Sequence, residues 1–295
     1  MIIRATLPAA FDANVTRDIN EAFREVPLML GHVRVETPEP KDMIKVGAFS
    51  GFGSMPQKAE GADFTIDQPI QRFTQAFVHL TYELGFEVSK EMVDDGRERD
   101  VAMWASALGV SARDAVNILA ANVLNNGYST TWGDGKVLFA TDHPTSGTAF
   151  GNTPSSAADL SATTLAAAIV ALMNQVDHRG LRIPVTGVEL FVPPALDQMA
   201  FELTSSNSVP HSTDNEPNYL RGRCVYNGPN PYLTDTNQWQ VIATGQRHGL
   251  VFFLREPFNA GSYMKESNHG LVHWGRFRAS AGVEEWRGTY GSSGA

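Results

Sequence analysis

The chain has 295 residues, a formal charge of -9, 42% hydrophobic and 19% charged residues, a balance that excludes disorder and fibrous repeats and allows one elaborate domain or two smaller ones. Its basic residues are scattered, so a strongly acidic total disfavours direct nucleic-acid binding. Cys224, the single cysteine, excludes an internal disulfide, and no run approaches the roughly 18 apolar residues of a membrane span, so neither a secretion signal nor a membrane anchor is expected.

Residues 1–36 contain one short helical pattern, TRDINEAFREV, without a dense apolar face. They read as an arm that needs another surface to lean on, expected to be a second subunit. Residues 37–69 hold four prolines and four glycines, which suits an extended hairpin with a turn-rich tip. Yet Ile44, Val46, Phe49, Phe52, Met55 and Phe64 are apolar. A limb too thin to bury them on itself would cover them on a neighbour or fold back on its own domain, and the pattern leaves both open.

Residues 73–88 alternate as a strand. From 90 to 126 the period changes: Val101, Trp104, Leu108, Ala112, Ala115, Leu119 and Val123 recur at helical spacing. Some 30 helical residues would reach about 45 Å, and Asn126-Gly127 is a fitting stop. Gly109, followed by a capping-box pattern from Ser111 to Asp114, marks a place where this helix would kink or restart.

The stretch DGKVLFATDHPTSG follows, and then a helix capped by Ser161 with apolar positions Leu165, Ile169, Leu172 and Val176. A buried strand at 188–192 is turned by Pro193-Pro194 into a helix ending near Thr204, and a polar loop spans 205–222. Strands are expected at 238–243, 250–255, 271–279 and 283–287, with a fraying GSSGA end.

Asp134, Asp142 and His143 combine carboxylates with an imidazole, as a metal-dependent hydrolase would require. No HExxH, paired-cysteine, P-loop or GxSxG pattern accompanies them. Asp134-Gly135 makes a turn and Asp142 can bond local amides before Pro144, so structural roles are expected and the hydrolase is the alternative. His269 and His273, if on a strand, would stand about 13 Å apart and could not share an ion. No catalytic, cofactor-binding or metal-binding residue is assigned, and no cofactor.

The run YELGFEVSKEMVDDGRERDVAMWASALGVSARDAVNILAANVLNNGYSTTWGDGKVLFATDHPT resembles the major capsid proteins of tailed bacteriophages, in particular the Mu-like major head subunit group. The likeness lies in order: a strand ending in EMVDD, a long spine helix, an NNGY exit and a DG-x-x-LF-x-x-DHP connector. Later stretches, DLSATTLAAAIVALMNQVDHRGLRIPVTGVELFVPPAL and NPYLTDTNQWQVIA, are similar to the same group's continuation. The resemblance implies an α+β Hong Kong 97-type capsid fold: N-terminal arm (1–36), extended loop (37–72), peripheral domain with the spine helix (73–154), axial domain (155–245), and return strands of the peripheral domain with the C-terminus (246–295).

It also implies a non-enzymatic shell protein of the virion, assembled in the host cytoplasm as hexamers and pentamers around double-stranded DNA that it does not read by sequence. A separate scaffold, a portal and decoration proteins would be partners, and Ile44, Val46, Phe49, Phe52, Met55 and Phe64 would be intersubunit contacts. Some relatives join subunits by a lysine to asparagine isopeptide bond; Lys45 and Lys58 lie in the loop, but no acid and asparagine partners can be assigned to them. Particles boiled in denaturant should therefore run as a single band on a gel, and a covalent ladder would overturn that expectation.

Overall fold

The structure, a computed structural model, describes residues 7–39, 41–145, 150–209, 217–245, 248–267 and 270–295. Helix α1 (Leu7–Glu25) leads to a three-residue strand, β1 (Arg34–Glu36), and then to β2 (Met43–Phe49), β3 (Gln71–Val78) and β4 (Leu80–Val88). After the short α2 (Lys90–Asp94) comes α3 (Glu98–Asn125), the 28-residue spine. Glu98 and Asp100 in its first turn complement the positive end of the helix. At its other end Gly127 donates its amide to the Leu124 carbonyl.

The chain continues through α4 (Ala162–Met173), β5 (Val188–Phe191), a single 3-10 turn and α5 (Asp197–Ser205). Strands β6 (Cys224–Val225), β7 (Trp239–Ala243), β8 (Gly249–Met264), β9 (Leu271–Glu285) and β10 (Thr289–Ser292) complete it. Ser161 caps α4 through a reciprocal capping box with Thr164. Among the described residues no helix is long and apolar enough to cross a membrane.

Two sheets organise these elements. The first has the order β1-β8-β9-β4, dominated by the long β8–β9 hairpin, and the spine lies on it. Val116, Ala120, Val123 and Leu124 of α3 share one core with Leu250, Phe252, Phe277, Ala279 and Val283. The second sheet, β10-β7-β5-β6, buries Val188, Leu190, Trp239 and Val241 against Leu165, Ile169 and Leu172 of α4. Hairpin β2–β3 forms a third, two-stranded sheet.

Several elements differ from the sequence expectation for identifiable reasons. The strand expected over 73–88 divides at His79, because β3 pairs with β2 whereas β4 pairs with β9. His79 sits at this change of partner, its amide donating to Asp42 O and its ring hydrogen-bonded to Ser280 Oγ at 2.9 Å. The pieces expected at 271–279 and 283–287 are one strand, since Gly282 provides clearance rather than a break: a Cβ there would come within 2.6 Å of Trp132 and 2.7 Å of Phe77. Strand β8 runs ten residues past Leu254 across Pro257, with register shifts between Leu254 and Asn259 accommodating the proline.

The C-terminus does not fray. Strand β10 pairs with β7 in the second sheet instead of returning with the residues before it to the first, and Ser292 Oγ donates to Ala158 O at 2.7 Å. His269, part of the His269/His273 comparison, lies outside the described residues, as do 1–6 of the arm and 210–216 of the polar loop.

The arm leans on its own chain. Val15, Ile19 and Ala22 of α1 are buried near Val101, Ala105 and Leu108 of the spine, and Phe23 stacks on Phe258 at 4.3 Å. Gly109 explains the approach: α3 continues unbroken through it rather than restarting, and a Cβ would lie 2.3 Å from the Ile19 carbonyl oxygen. Backbone is what stands in the way, so a side chain cannot be admitted by a rotamer change. Gly109→Val is expected to lower the unfolding free energy by roughly 1–3 kcal/mol, measured by denaturant titration. Val110→Ala, on the exposed side of the same helix, should stay within about 0.5 kcal/mol of the parent.

Candidate functional site

Two regions carry the residues singled out from sequence: the connector after the spine and the β2–β3 hairpin. In the connector, Asp134 bends the chain through Gly135 (φ 80°), and its Oδ1 accepts the Lys136 amide at 3.0 Å. Its other oxygen lies 2.8 Å from His143 Nδ1. His143 Nε2 faces Leu138 O and Asn152 Oδ1, each at 3.2 Å, so both ring nitrogens are taken up by protein oxygens. The buried ring stacks on Trp286 at 4.2 Å, and the Arg287 guanidinium covers Trp286 at 4.5 Å.

Asp142 does not join this pair. It is solvent-exposed and ion-paired with Lys136, which draws its carboxyl below the usual range. Among the described residues no three His, Cys, Asp or Glu side chains gather as a metal cluster would. The arrangement is a rivet. Asn152 donates to Leu138 O at 2.8 Å and to Thr289 Oγ1 at 3.2 Å, fastening the connector to the start of β10. Asn152 and Trp286 escaped sequence analysis, because nothing local links them to His143.

The hairpin divides its apolar residues by side. Ile44 and Val46 turn inward and pack, partly buried, on the chain's own Phe77, Val251 and Phe253. They are therefore internal contacts of this chain, in keeping with the alternation of a strand that has one covered face. Phe49, Phe52, Met55 and Phe64 remain in solvent, Met55 at 96% and Phe64 at 74% exposure. Ile66 and Ile70 are also exposed and extend the set. Their signal was available in sequence, since Ile66 stands in the same proline-bounded stretch and Ile70 directly follows its last proline.

The loop from 50 to 70 is closed at its neck. Ser50 N donates to Ile70 O at 2.8 Å, Ile70 N donates to Ser50 Oγ at 2.9 Å, and Gly53 N donates to Asp67 Oδ2 at 2.9 Å. Beyond the neck no regular secondary structure forms, apart from a turn at Gly61 (φ 77°). This segment presents an apolar surface that can adhere. Covering one large apolar side chain is worth about 1.5–3 kcal/mol, so six together offer on the order of 10 kcal/mol before the cost of ordering the loop.

Two histidines are buried, His32 where α3 meets β5 and His248 just ahead of β8. His32 Nε2 donates to the Ala120 carbonyl at 2.9 Å, and its ring meets Phe191 edge-on. Burial pushes its pKa down to about 4, the carbonyl bond only partly opposing this. His248 is likewise lowered to about 4 by burial, then by the positive charge of Arg34 and by His32.

A model of a family described as phage capsid protein matches residues 74–292. No curated protein sequence matches the chain. Among solved structures, the mature capsid of bacteriophage PhiM1 is similar, with 10% identity and a TM-score of 0.58 over 88% of this chain and 85% of that one. The capsid of bacteriophage JBD30 decorated with minor capsid protein trimers gives 14% identity and a TM-score of 0.58 over 79% of this chain and all of the other. A virus-like particle from Pyrococcus furiosus gives 10% identity and a TM-score of 0.57 over 96% and 99%. These likenesses establish the Hong Kong 97-type α+β capsid fold.

The two buried histidines yield a pH dependence of definite sign. With folded pKa values near 4 against about 6.5 unfolded, the unfolded chain binds more protons between those limits, so their contribution is complete above pH 6.5 and is lost as pH falls toward 4. For His32 alone the loss amounts to about 3 kcal/mol. Thermal unfolding at pH 7, 5.5 and 4.5 should show this decline, and His32→Gln, which keeps a donor for Ala120 O, should make it shallower, leaving the part that belongs to His248.

Proposed function

The chain belongs to the phage capsid protein family, and we propose that its hold on the shell comes from the loop between Phe49 and Ile70 covering its apolar side chains on an adjacent copy of the same chain. The protein is a structural major capsid protein, not an enzyme, and it self-assembles into the icosahedral shell of a bacteriophage. The observation that carries the proposal is the exposure of Phe49, Phe52, Met55, Phe64, Ile66 and Ile70 on a limb with no second layer of its own. Monomeric surfaces rarely leave so many large apolar groups together in water.

In this reading, the β8–β9 sheet with the spine is the peripheral domain and the second sheet with α4 and α5 is the axial domain. The copies meet through heterologous contacts that close into hexamers and pentamers. Weak contacts repeated around a ring suffice, because a subunit held by several neighbours leaves only when all of them break together. The shell encloses double-stranded DNA without reading its sequence, in keeping with the formal charge of -9.

The order of motifs from EMVDD to the DHP connector supports the Mu-like major head subunit group as the branch of the family. Partners of this kind of shell are a separate scaffold, a portal and decoration proteins, the last in line with the minor capsid protein trimers on the JBD30 capsid. Assembly would take place in the host cytoplasm.

Electron microscopy of the expressed protein, alone or with its scaffold, tests the proposal. The parent should give closed shells or ring-shaped capsomers. A Phe52→Ser, Met55→Ser, Phe64→Ser triple variant should keep its unfolding midpoint, since those side chains touch water in the subunit, while particle yield falls at least roughly tenfold. Shells from the triple variant at the parental yield would contradict the assignment.

A further inference from the structure

Residue 179 lies far from the loop in sequence, yet its side chain reaches it. Arg179 Nη2 donates to the Gln68 carbonyl at 2.8 Å and to Asp67 Oδ1 at 3.2 Å. Asp67 is the hub of the loop's neck: one oxygen takes the Gly53 amide at 2.9 Å, and the other takes its neighbour Gln68's amide at 2.9 Å together with Arg179. These bonds, the Gly53 amide foremost, hold the carboxyl below the usual range.

The arginine is itself firmly presented. Asp177 Oδ1 accepts the amides of Arg179 and Leu181, each at 2.8 Å, while Asp177 N donates to Leu181 O at 2.7 Å and Gly180 takes a φ of 81°. Side-chain capture of two amides fixes a tight turn. Behind that turn, Arg287 Nε donates to Val176 O at 2.7 Å, and Gln175 Oε1 accepts the Gly288 amide at 2.7 Å. The turn is thus pinned where β9 passes into β10. Opposite it, Gly51 lies against Asp177, where a Cβ would come 3.4 Å from the carboxylate.

We propose that Arg179 is a positioning residue for assembly, a clasp through which the turn at 177–181 sets the direction in which the loop leaves its own subunit. The inference rests on the reading that this loop seats on a neighbouring copy. A free limb of 20 residues would sample many directions, and seating it would then cost the entropy of choosing one. The clasp removes part of that cost before the neighbour arrives. It also couples loop angle to the second sheet, so rotation of that unit would carry the loop with it.

The test uses dissociated full-length subunits and two readouts of the loop itself. Lys58 is the one basic residue between Val46 and Gln71, so trypsin cutting there reports loop mobility; exchange of the Gly53 amide reports the neck. Arg179→Ala should speed both by roughly three- to tenfold, the range for losing a pair of partly exposed charge-assisted bonds. Arg179→Lys, whose ammonium can serve the same two oxygens, should restore most of the protection. Under the microscope Arg179→Ala should give fewer and less uniform shells.

Unchanged cleavage and exchange in Arg179→Ala would overturn the clasp. A loosened loop with shells of parental yield and uniformity would overturn its role in assembly while leaving the seating of the loop intact. The triple serine variant at Phe52, Met55 and Phe64 fails differently: it should keep parental cleavage and, after correction for the intrinsic effect of the Phe52 change, parental Gly53 protection while its shell yield falls, so the two readings are separable.

Discussion

A two-stranded limb has no interior. Whatever β2 and β3 hold at their root, where Phe77, Val251 and Phe253 receive Ile44 and Val46, the chain beyond Phe49 has no layer left to cover it. The apolar side chains there stay in water until another surface arrives. This constraint organises the rest of the molecule. A segment left uncovered in this way must be held out by a body that is stable without it.

The body meets this demand with a long sheet and a long helix. The β8–β9 hairpin gives a stiff platform, and the spine helix, about 42 Å long at 1.5 Å per residue, lies along it. Glycines mark where backbone must pass closely: Gly109 beneath the arm and Gly282 beneath Trp132 and Phe77. The second sheet shares no strand with the first; Phe191 and Ile242 enter the core of the first, and buried polar contacts flank that apolar junction. His143, Asp134 and Asn152 fasten the connector, and Arg287 and Gln175 fasten the turn after α4. Such contacts are strong only when every partner is present, which gives the apolar junction a definite geometry.

Much of this was legible in the sequence because it is periodic or punctuated. The spine announces itself by apolar residues at three and four spacing, α4 by the Ser161 cap, and the loop by prolines and glycines among aromatics. The structural role of Asp134 and His143 was also readable, since no ligand spacing accompanied them. What sequence could not supply was long-range pairing. Nothing near His79 says that the strand changes partner there, nothing in GSSGA says that its first two residues enter a second sheet, and Arg179 is 112 positions from Asp67.

The division of the loop's apolar residues was half visible. Strand alternation groups Ile44 with Val46, but only the position of Phe253 on a strand two hundred residues away tells that this face is the covered one. The arm was misjudged for a similar reason. Its sparse apolar face looked insufficient alone, and Gly109, read as a weak point of the spine, is what lets Ile19 and Ala22 come close enough to bury.

The central claim is most directly tested by hydrogen exchange, comparing residues 49–70 in assembled shells and in dissociated subunits under identical buffer conditions. If sister copies cover this segment, its amides beyond the bonded neck, 54–66, exchange fast in the subunit and become strongly protected in the shell, whereas the spine is protected in both. Equal exchange of the segment in the two states would mean that the loop stays in water after assembly, and the account of how this shell holds together would be wrong.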